Sequence, residues 1–251
     1  MFKGYYMAAS GMLTQSRVLN NISNNMSNVS TPGYKEDTLA TTTFGDVLIN
    51  RTGNKDKSVY TPLNNSSAIK TADELVTNYT AGTLDFTDRK LDFAVGGNGF
   101  FQIQTPNGET RYTRNGSFNI DADGYLSLQH IGRVMGENGP IQVGTDKISV
   151  NTEGNITDSE TGEALGKISL VNFTDYTQVQ KVDEGMFKTT NPLNAVVTDG
   201  VVKQGTLERS NVQAMDEMMA MMSSQRAFQS ASQIAKAYDQ LMGKAVELAA
   251  L

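Results

Sequence analysis

From Val212 to Leu251 the chain contains no proline and a single glycine, Gly243, and within that stretch Ala231, Ile234, Tyr238, Leu241, Ala245 and Leu248 recur in alternating steps of three and four. That spacing keeps one apolar seam on a long helix and is the spacing of a coiled coil. Upstream, Met215, Met218, Met219, Met221 and Met222 cover more than one face within two turns, more than a single partner helix could bury. Methionine packs adaptably into irregular contacts, which suits a helix that meets several neighbours.

The other end has the same character. Tyr5, Ala9, Met12, Leu19 and Met26, with Ser16 and Ser23 between them, follow helical spacing, and Val18, Ile22 and Val29 form a neighbouring stripe. Pro32 and Gly33 stop this helix, because proline restricts its predecessor and glycine accepts a positive φ. Just before the stop stand two asparagine rows, Asn20, Asn24 and Asn28 at a spacing of four and Asn21 and Asn25 beside them. Asparagine offers both a donor and an acceptor without charge. Rows of it either fix register against neighbouring segments or mark a solvated, frayed helix end.

Between the ends the period changes. Residues 36–81 are rich in Thr, Asn and Ser with little periodicity and read as an extended connector. From Leu91 the period becomes two: LDFAVGGNGFFQIQ, a turn at Pro106-Asn107-Gly108, then ETRYTRNGSFNIDADGYLSL read as strands joined at Asn-Gly and Asp-Gly turns. The expected fold class is α+β: long N- and C-terminal helices pairing as a coiled coil, and a central, mainly antiparallel β domain. The expected segments are a helix with its Asn-rich motif over 1–35, the connector over 36–81, the β domain over 82–180, a return connector over 181–210 and the C-terminal helix over 211–251. A lone amphipathic helix is marginal in water, so the ends pair with each other or with other subunits.

The formal net charge of −6 argues against nucleic acid as a partner, since phosphate binding needs clustered Lys and Arg. The longest apolar runs are only a few residues, so no direct membrane insertion is expected. No cysteine is present, which removes disulfides, thiolate nucleophiles and Cys-ligated metals. The first residues lack the compact apolar centre of a cleavable signal peptide, so a route out of the cytoplasm would not read one.

Chemistry is sparse. His130 is the one histidine and reads as a surface or turn residue. Asp121 and Asp123 lack the closing glutamate and flanking helices of a calcium loop; Asp121-Ala122-Asp123-Gly124 reads as a turn. The glycines of VGGNGFF precede another strand rather than a phosphate-facing helix, so Gly96 and Gly99 read as a bend, with Phe93, Phe100 and Phe101 feeding the core. No catalytic site, cofactor or metal is expected.

Three separated motifs resemble the bacterial flagellar basal-body rod proteins, within the wider rod, hook and hook-associated axial family. They are LNNISNNMSNVSTPGYK at the end of the first helix, LDFAVGGNGFFQIQTPNGETRYTRNGSFNIDADGYL followed by GRVMGENGPIQV in the middle, and QGTLERSNVQAMDEMMAMMSSQRAFQSASQIAKAYDQLM at the end. Serines at Ser23 and Ser27 and the basic residue before Ser210 depart from the common pattern. The resemblance is to the proximal-rod type with a β domain, or else to the distal-rod type.

It implies a non-catalytic subunit stacking helically with copies of itself and with other rod proteins in the flagellar basal body. The terminal helices would form an inner coiled-coil layer around the export channel, and the flagellar export apparatus would deliver the chain without a cleaved signal. It assigns assembly roles to Asn21, Asn24, Asn25, Asn28, Thr31, Pro32, Gly33 and Tyr34, to Ser210, Asn211, Val212, Gln225 and Arg226, and, with the heptad seam, to Ile234, Tyr238, Leu241 and Leu248. The β-domain turns and core are expected at Gly96, Gly99, Phe100, Phe101, Tyr112, Gly116, Phe118 and Gly124. A secreted, non-catalytic adhesin or binding module, with a β domain on a helical stalk, is the alternative.

Overall fold

A computed structural model of the chain describes residues 2–52, 60–182, 185–198 and 200–249. The class is α+β. The chain divides into two compact units. One comprises residues 1–27, 37–76 and 213–251, the other residues 28–36 and 77–212.

The first unit is built on helices α1 (Phe2–Ser27) and α2 (Ala214–Ala249). They pack antiparallel, because partners ascend in one helix as they descend in the other: a Cβ on Gly4 would meet Tyr238, Gln15 Oε1 accepts from Ser224 Oγ at 2.6 Å, and Asn25 bonds Glu217. On α1 a covered series runs Gly4, Ala8, Gly11, Gln15, Val18, Ile22 and Asn25, with buried Thr14 beside it; on α2 one runs from Ala214 through Glu217, Met221, Ser224, Phe228, Ala231, Ala235 and Tyr238 to Met242. Both series step by three and four.

The seam follows one of the two stripes expected on α1 and departs from the large apolar residues expected on α2. On α1 it follows the Val18 and Ile22 stripe; in the neighbouring stripe Tyr5 and Ser23 are exposed, and Ala9, Met12, Ser16, Leu19 and Met26 are half-buried. On α2 it keeps Ala231 and Tyr238 and leaves Ile234, Leu241 and Leu248 outside. Gly4 leaves room for the Tyr238 ring, since a Cβ there would lie 2.4 Å from the ring hydroxyl, and Ala8 and Ala235 are buried in the seam.

Asp216 and Glu217 stand in the first turn of α2, where negative charge complements the exposed amides. At the end of α1 the helix stops at Ser27, and turns over 28–33 precede the Gly33 position, whose φ is +69°. In the Thr/Asn/Ser-rich segment, Asp37–Thr52 and Tyr60–Thr77 form a two-stranded sheet.

The second unit is antiparallel β. Its main sheet runs, in spatial order, Val179–Val182, Met186–Thr189, Thr110–Thr113, Phe100–Gln104, Gly132–Gly136, Leu126–Leu128 and Phe118–Ile120, and Leu170–Phe173 pairs both Phe100–Gln104 and Ala195–Val197. Ile148–Val150, Asn155–Asp158 and Ala164–Lys167 make a smaller sheet, and Val201–Gln204 pairs Phe93–Gly96. Phe100 and Phe101 are adjacent, so they point to opposite faces of the strand. Phe101 joins Phe93, Ile103, Phe118, Leu126 and Val134 in one core; Phe100 joins Tyr112, Val171, Phe173 and Phe187 in another.

The turns differ in kind. Pro106-Asn107-Gly108 closes a hairpin, with the Gly108 N–H donating to the Thr105 carbonyl at 2.9 Å and a φ of +81°. Asp123-Gly124 closes another, with φ +82° at Gly124. Asn115-Gly116 does not: the strands it joins have other neighbours. Gly116 is required because a Cβ there would lie 1.7 Å from the Phe93 carbonyl oxygen.

Candidate functional site

The asparagine rows separate. In the first unit, Asn21 Nδ2 donates to the Asp37 carbonyl at 2.6 Å and Asn25 Nδ2 donates to the same oxygen at 2.9 Å. Asn25 also donates to Glu217 Oε1 at 2.8 Å, while its Oδ1 accepts from the Asp37 N–H at 3.2 Å. Asn25 and Glu217 are both buried. One row thus ties α1, α2 and the strand starting at Asp37, whereas Asn20 and Asn24 of the other row are exposed.

The segment after α1 belongs to the β unit, and there two motifs far apart in sequence meet. The Gly33 N–H donates to the Glu208 carbonyl at 2.7 Å, and its bare Cα lies where a Cβ would be 2.3 Å from the Arg114 carbonyl carbon and the Asn115 nitrogen. Tyr34 is buried, with Lys181 Nζ 3.7 Å from its ring centroid; Lys181 also donates to the Lys35 carbonyl at 2.6 Å. The Glu36 N–H donates to Asn211 Oδ1 at 2.7 Å, and Asn211 Nδ2 donates to the Asn78 carbonyl at 2.8 Å. Ser210 Oγ accepts from the N–H of buried Val212 at 3.2 Å. Thr31 donates to Asn28 Oδ1 at 3.2 Å, and Thr31 and Pro32 are half-buried.

At the centre of this junction lies a buried ionic cluster. Lys35 Nζ donates to Glu208 Oε1 at 2.6 Å and to the Thr80 carbonyl at 2.7 Å. Arg114 Nη1 donates to Glu208 Oε2 at 3.0 Å and its Nη2 to the Gly97 carbonyl at 2.8 Å, with the guanidinium 5.0 Å from the Phe100 ring centroid. The Gly82 N–H adds a bond to Glu208 Oε1 at 3.0 Å. The three side chains are 0%, 1% and 3% exposed for Lys35, Glu208 and Arg114. Two cations thus share one carboxylate. Burial pulls the Lys35 pKa down, opposed by the attraction and hydrogen bond of Glu208 and reinforced by the repulsion of Arg114.

Sequence reasoning missed Lys35, Arg114, Glu208 and Glu217. A usable signal existed for two of them: in an alternating strand Arg114 shares the face of inward Tyr112, and Glu208 the face of Thr206. Other expected positions do not converge on this junction. Gln225, Arg226, Ile234, Leu241 and Leu248 are exposed on α2, and Tyr238 packs over Gly4. Gly99, Phe100, Phe101, Tyr112, Gly116 and Phe118 are buried in the β unit; Gly96 and Gly124 are half-buried.

Asp121 and Asp123 hold a turn and Arg133. Asp121 Oδ1 accepts from the N–H groups of Asp123 and Tyr125, at 3.0 and 2.8 Å, and Oδ2 from Arg133 Nε at 2.7 Å. His130 is exposed, at a turn with φ +63°. Among the described residues no group of three or more His, Cys, Asp or Glu could hold a metal ion.

Three family models match segments of the chain. Residues 6–35 match "Flagella basal body rod protein", residues 94–158 "Flagellar hook protein FlgE/F/G D1 domain", and residues 203–248 "Flagellar basal body rod FlgEFG protein C-terminal". Similar proteins include the flagellar basal-body rod protein FlgF of Escherichia coli K12, 32% identical over 260 residues that cover 96% of this chain and 94% of that protein. FlgG of Agrobacterium fabrum is 31% identical, covering 94% and 95% respectively, and FlgG of Bacillus subtilis is 31% identical over 99% of each. The first and last matched segments carry the two motifs that meet at Glu208. With full-length relatives at this identity, the chain belongs to the flagellar basal-body rod protein family.

Proposed function

We propose that this chain is a structural, non-catalytic subunit of the flagellar basal-body rod, which assembles helically through its terminal helices, transmits torque and lines the export channel. Copies of itself and other rod proteins are its neighbours, and the flagellar export apparatus delivers it without a cleaved signal. The observation that carries this reading is the outward face of α2. Ile234, Leu241 and Leu248, spaced by seven, are 49%, 61% and 74% exposed, while the adjacent seam is already filled by α1. Met215, Met218, Met219 and Met222 extend exposed apolar surface toward the start of the helix. A face of this kind calls for a further helix, and non-closing, head-to-tail contacts would supply several different ones. Within the rod we assign the proximal type, from the Gly132–Val143 segment; FlgF and FlgG relatives match at similar identity, so cross-linking to neighbouring rod proteins distinguishes proximal from distal.

The test uses Ile234→Asp and Leu241→Asp in the full chain. Both positions face solvent in the single chain, so the variants are expected to keep the wild-type helical signal while losing concentration-dependent association and incorporation into rods. Normal incorporation of either would sink the proposal. A wild-type chain that stays monomeric at every concentration and adds to no rod template would favour the secreted binding-module reading.

A further inference from the structure

The Lys35, Glu208 and Arg114 cluster joins parts of the β unit that are 173 and 94 residues from Glu208 in sequence. One carboxylate receives Lys35 from the segment after α1, the Gly82 N–H, and Arg114, which follows the strand Thr110–Thr113 and itself holds the Gly97 carbonyl next to Phe93–Gly96. The Thr206–Glu208 strand that presents this carboxylate pairs with Leu84–Phe86. Gly33 seals the same place from the N-terminal side, bonding the Glu208 carbonyl and closing against the Arg114 backbone.

The charge count makes Glu208 the hub. Without it, two buried cations face each other with no counter-charge, a costly arrangement inside a protein. Without Lys35, Glu208 still has Arg114 and Gly82, and the remaining pair is balanced. The two losses are therefore unequal, and losing both Lys35 and Glu208 is less damaging than losing Glu208 alone.

We infer that this cluster is a latch that makes the β unit complete only when Gly33–Lys35 and Thr206–Glu208 are seated together. Residues 77–205 alone leave the carboxylate's place empty. A chain emerging N-terminus first holds its β unit unlatched until nearly all of it has emerged. The latch delays the locked state by topology, and needs no other protein.

Native-state hydrogen exchange on the full chain tests it. In the wild type, the Gly33 and Gly82 amides are expected to exchange with the same denaturant dependence as the Phe100–Gln104 strand. Glu208→Gln is expected to lower protection throughout that strand by about a hundredfold or more, the scale on which unpairing buried charges acts, and Lys35→Met, which removes charged hydrogen bonds but leaves a balanced pair, by about tenfold. The double variant Glu208→Gln/Lys35→Met is expected to regain about tenfold over Glu208→Gln. Loss of protection confined to residues 31–36 and 205–212, or a double variant no better than Glu208→Gln, overturns the latch. If Glu208→Gln does not fold, the wild type and Lys35→Met decide: Gly33 and Gly82 amides that open at lower denaturant than the strand, or an unchanged strand in Lys35→Met, overturn it equally.

Discussion

Asn25 on α1 donates its side-chain amide to the carboxylate of Glu217 on α2 at 2.8 Å, and both groups are buried. The same amide holds the Asp37 backbone through a donor and an acceptor. A neutral asparagine here can satisfy a buried carboxylate without adding charge, which an acid could not do and a leucine would not attempt.

Substitution at Asn25 should therefore separate two effects. Asn25→Leu leaves Glu217 without this donor and the Asp37 amide without its acceptor, and is expected to cost about 1–3 kcal/mol in the helical unit. Asn25→Asp adds a second carboxylate beside Glu217, which raises a pKa of the pair in the folded state. The folded state then binds protons more tightly than the unfolded one, so the variant's stability falls as pH rises through the raised value. Thermal melts followed by helical circular dichroism at pH 4 and pH 7 check this. Adding Glu217→Gln to Asn25→Asp should remove the pH dependence.

Two glycines should behave differently although both sit in strand connections. At Gly116 an added Cβ would meet the Phe93 carbonyl oxygen at 1.7 Å, whereas at Gly108 it meets open space and only the positive φ of +81° opposes it. Gly108→Ala is expected to cost about 1 kcal/mol. Gly116→Ala requires backbone movement against two core strands and is expected to cost about 3 kcal/mol or more. Denaturant midpoints followed by tyrosine fluorescence give the comparison, and equal costs would contradict the close approach.

The two faces of α2 should separate folding from assembly. Ala235 is buried in the seam against α1, and its neighbour Ile234 is half exposed. Ala235→Asp places a charge in that seam and is expected to cost about 2 kcal/mol or more of helical stability, whereas Ile234→Asp should leave the melt within about 0.5 kcal/mol of wild type. A reversed order would mean that the heptad seam read from apolar residues alone is the one α1 covers.

That contrast also marks what the sequence made legible. The helical ends, the period-two middle, and the hairpins at Gly108 and Gly124 follow from spacing and glycine placement, because those signals are local. The covered face of α2 was legible only in part: Ala231 and Tyr238 lie on the expected stripe, but Glu217 and Ser224 share the covered face while Ile234, Leu241 and Leu248 stay outside it, because polar and small residues carry no apolar signal. The Lys35, Glu208 and Arg114 cluster was harder still. Buried charge is identified by its partners, and here those partners come from remote segments. Strands at Asp37–Thr52 and Tyr60–Thr77 were obscured by a Thr, Asn and Ser composition that resembles a connector.

Asp175 offers a pH test inside the β unit. Its carboxylate caps the short 3₁₀ helix Tyr176–Gln178, accepting from the Thr177 hydroxyl at 2.7 Å, the Thr177 N–H at 2.9 Å and Gln178 Nε2 at 3.0 Å. These bonds, the Thr177 hydroxyl foremost, hold its pKa below the ordinary aspartate value of 3.8. A depressed acid contributes stability that is present above its unfolded pKa and disappears as pH falls through the folded value. Asp175→Asn should therefore be less stable than wild type at pH 7, with the difference shrinking as pH drops below 3.8. Tyr176, which this cap positions, packs against Tyr79 at 4.6 Å and Phe173 at 6.0 Å between ring centroids, so the loss should also appear in the tyrosine signal of the second core. Carboxyl-carbon titration by NMR gives the direct check. An Asp175 resonance that titrates at or above the ordinary value would show that the cap does not favour the charged form.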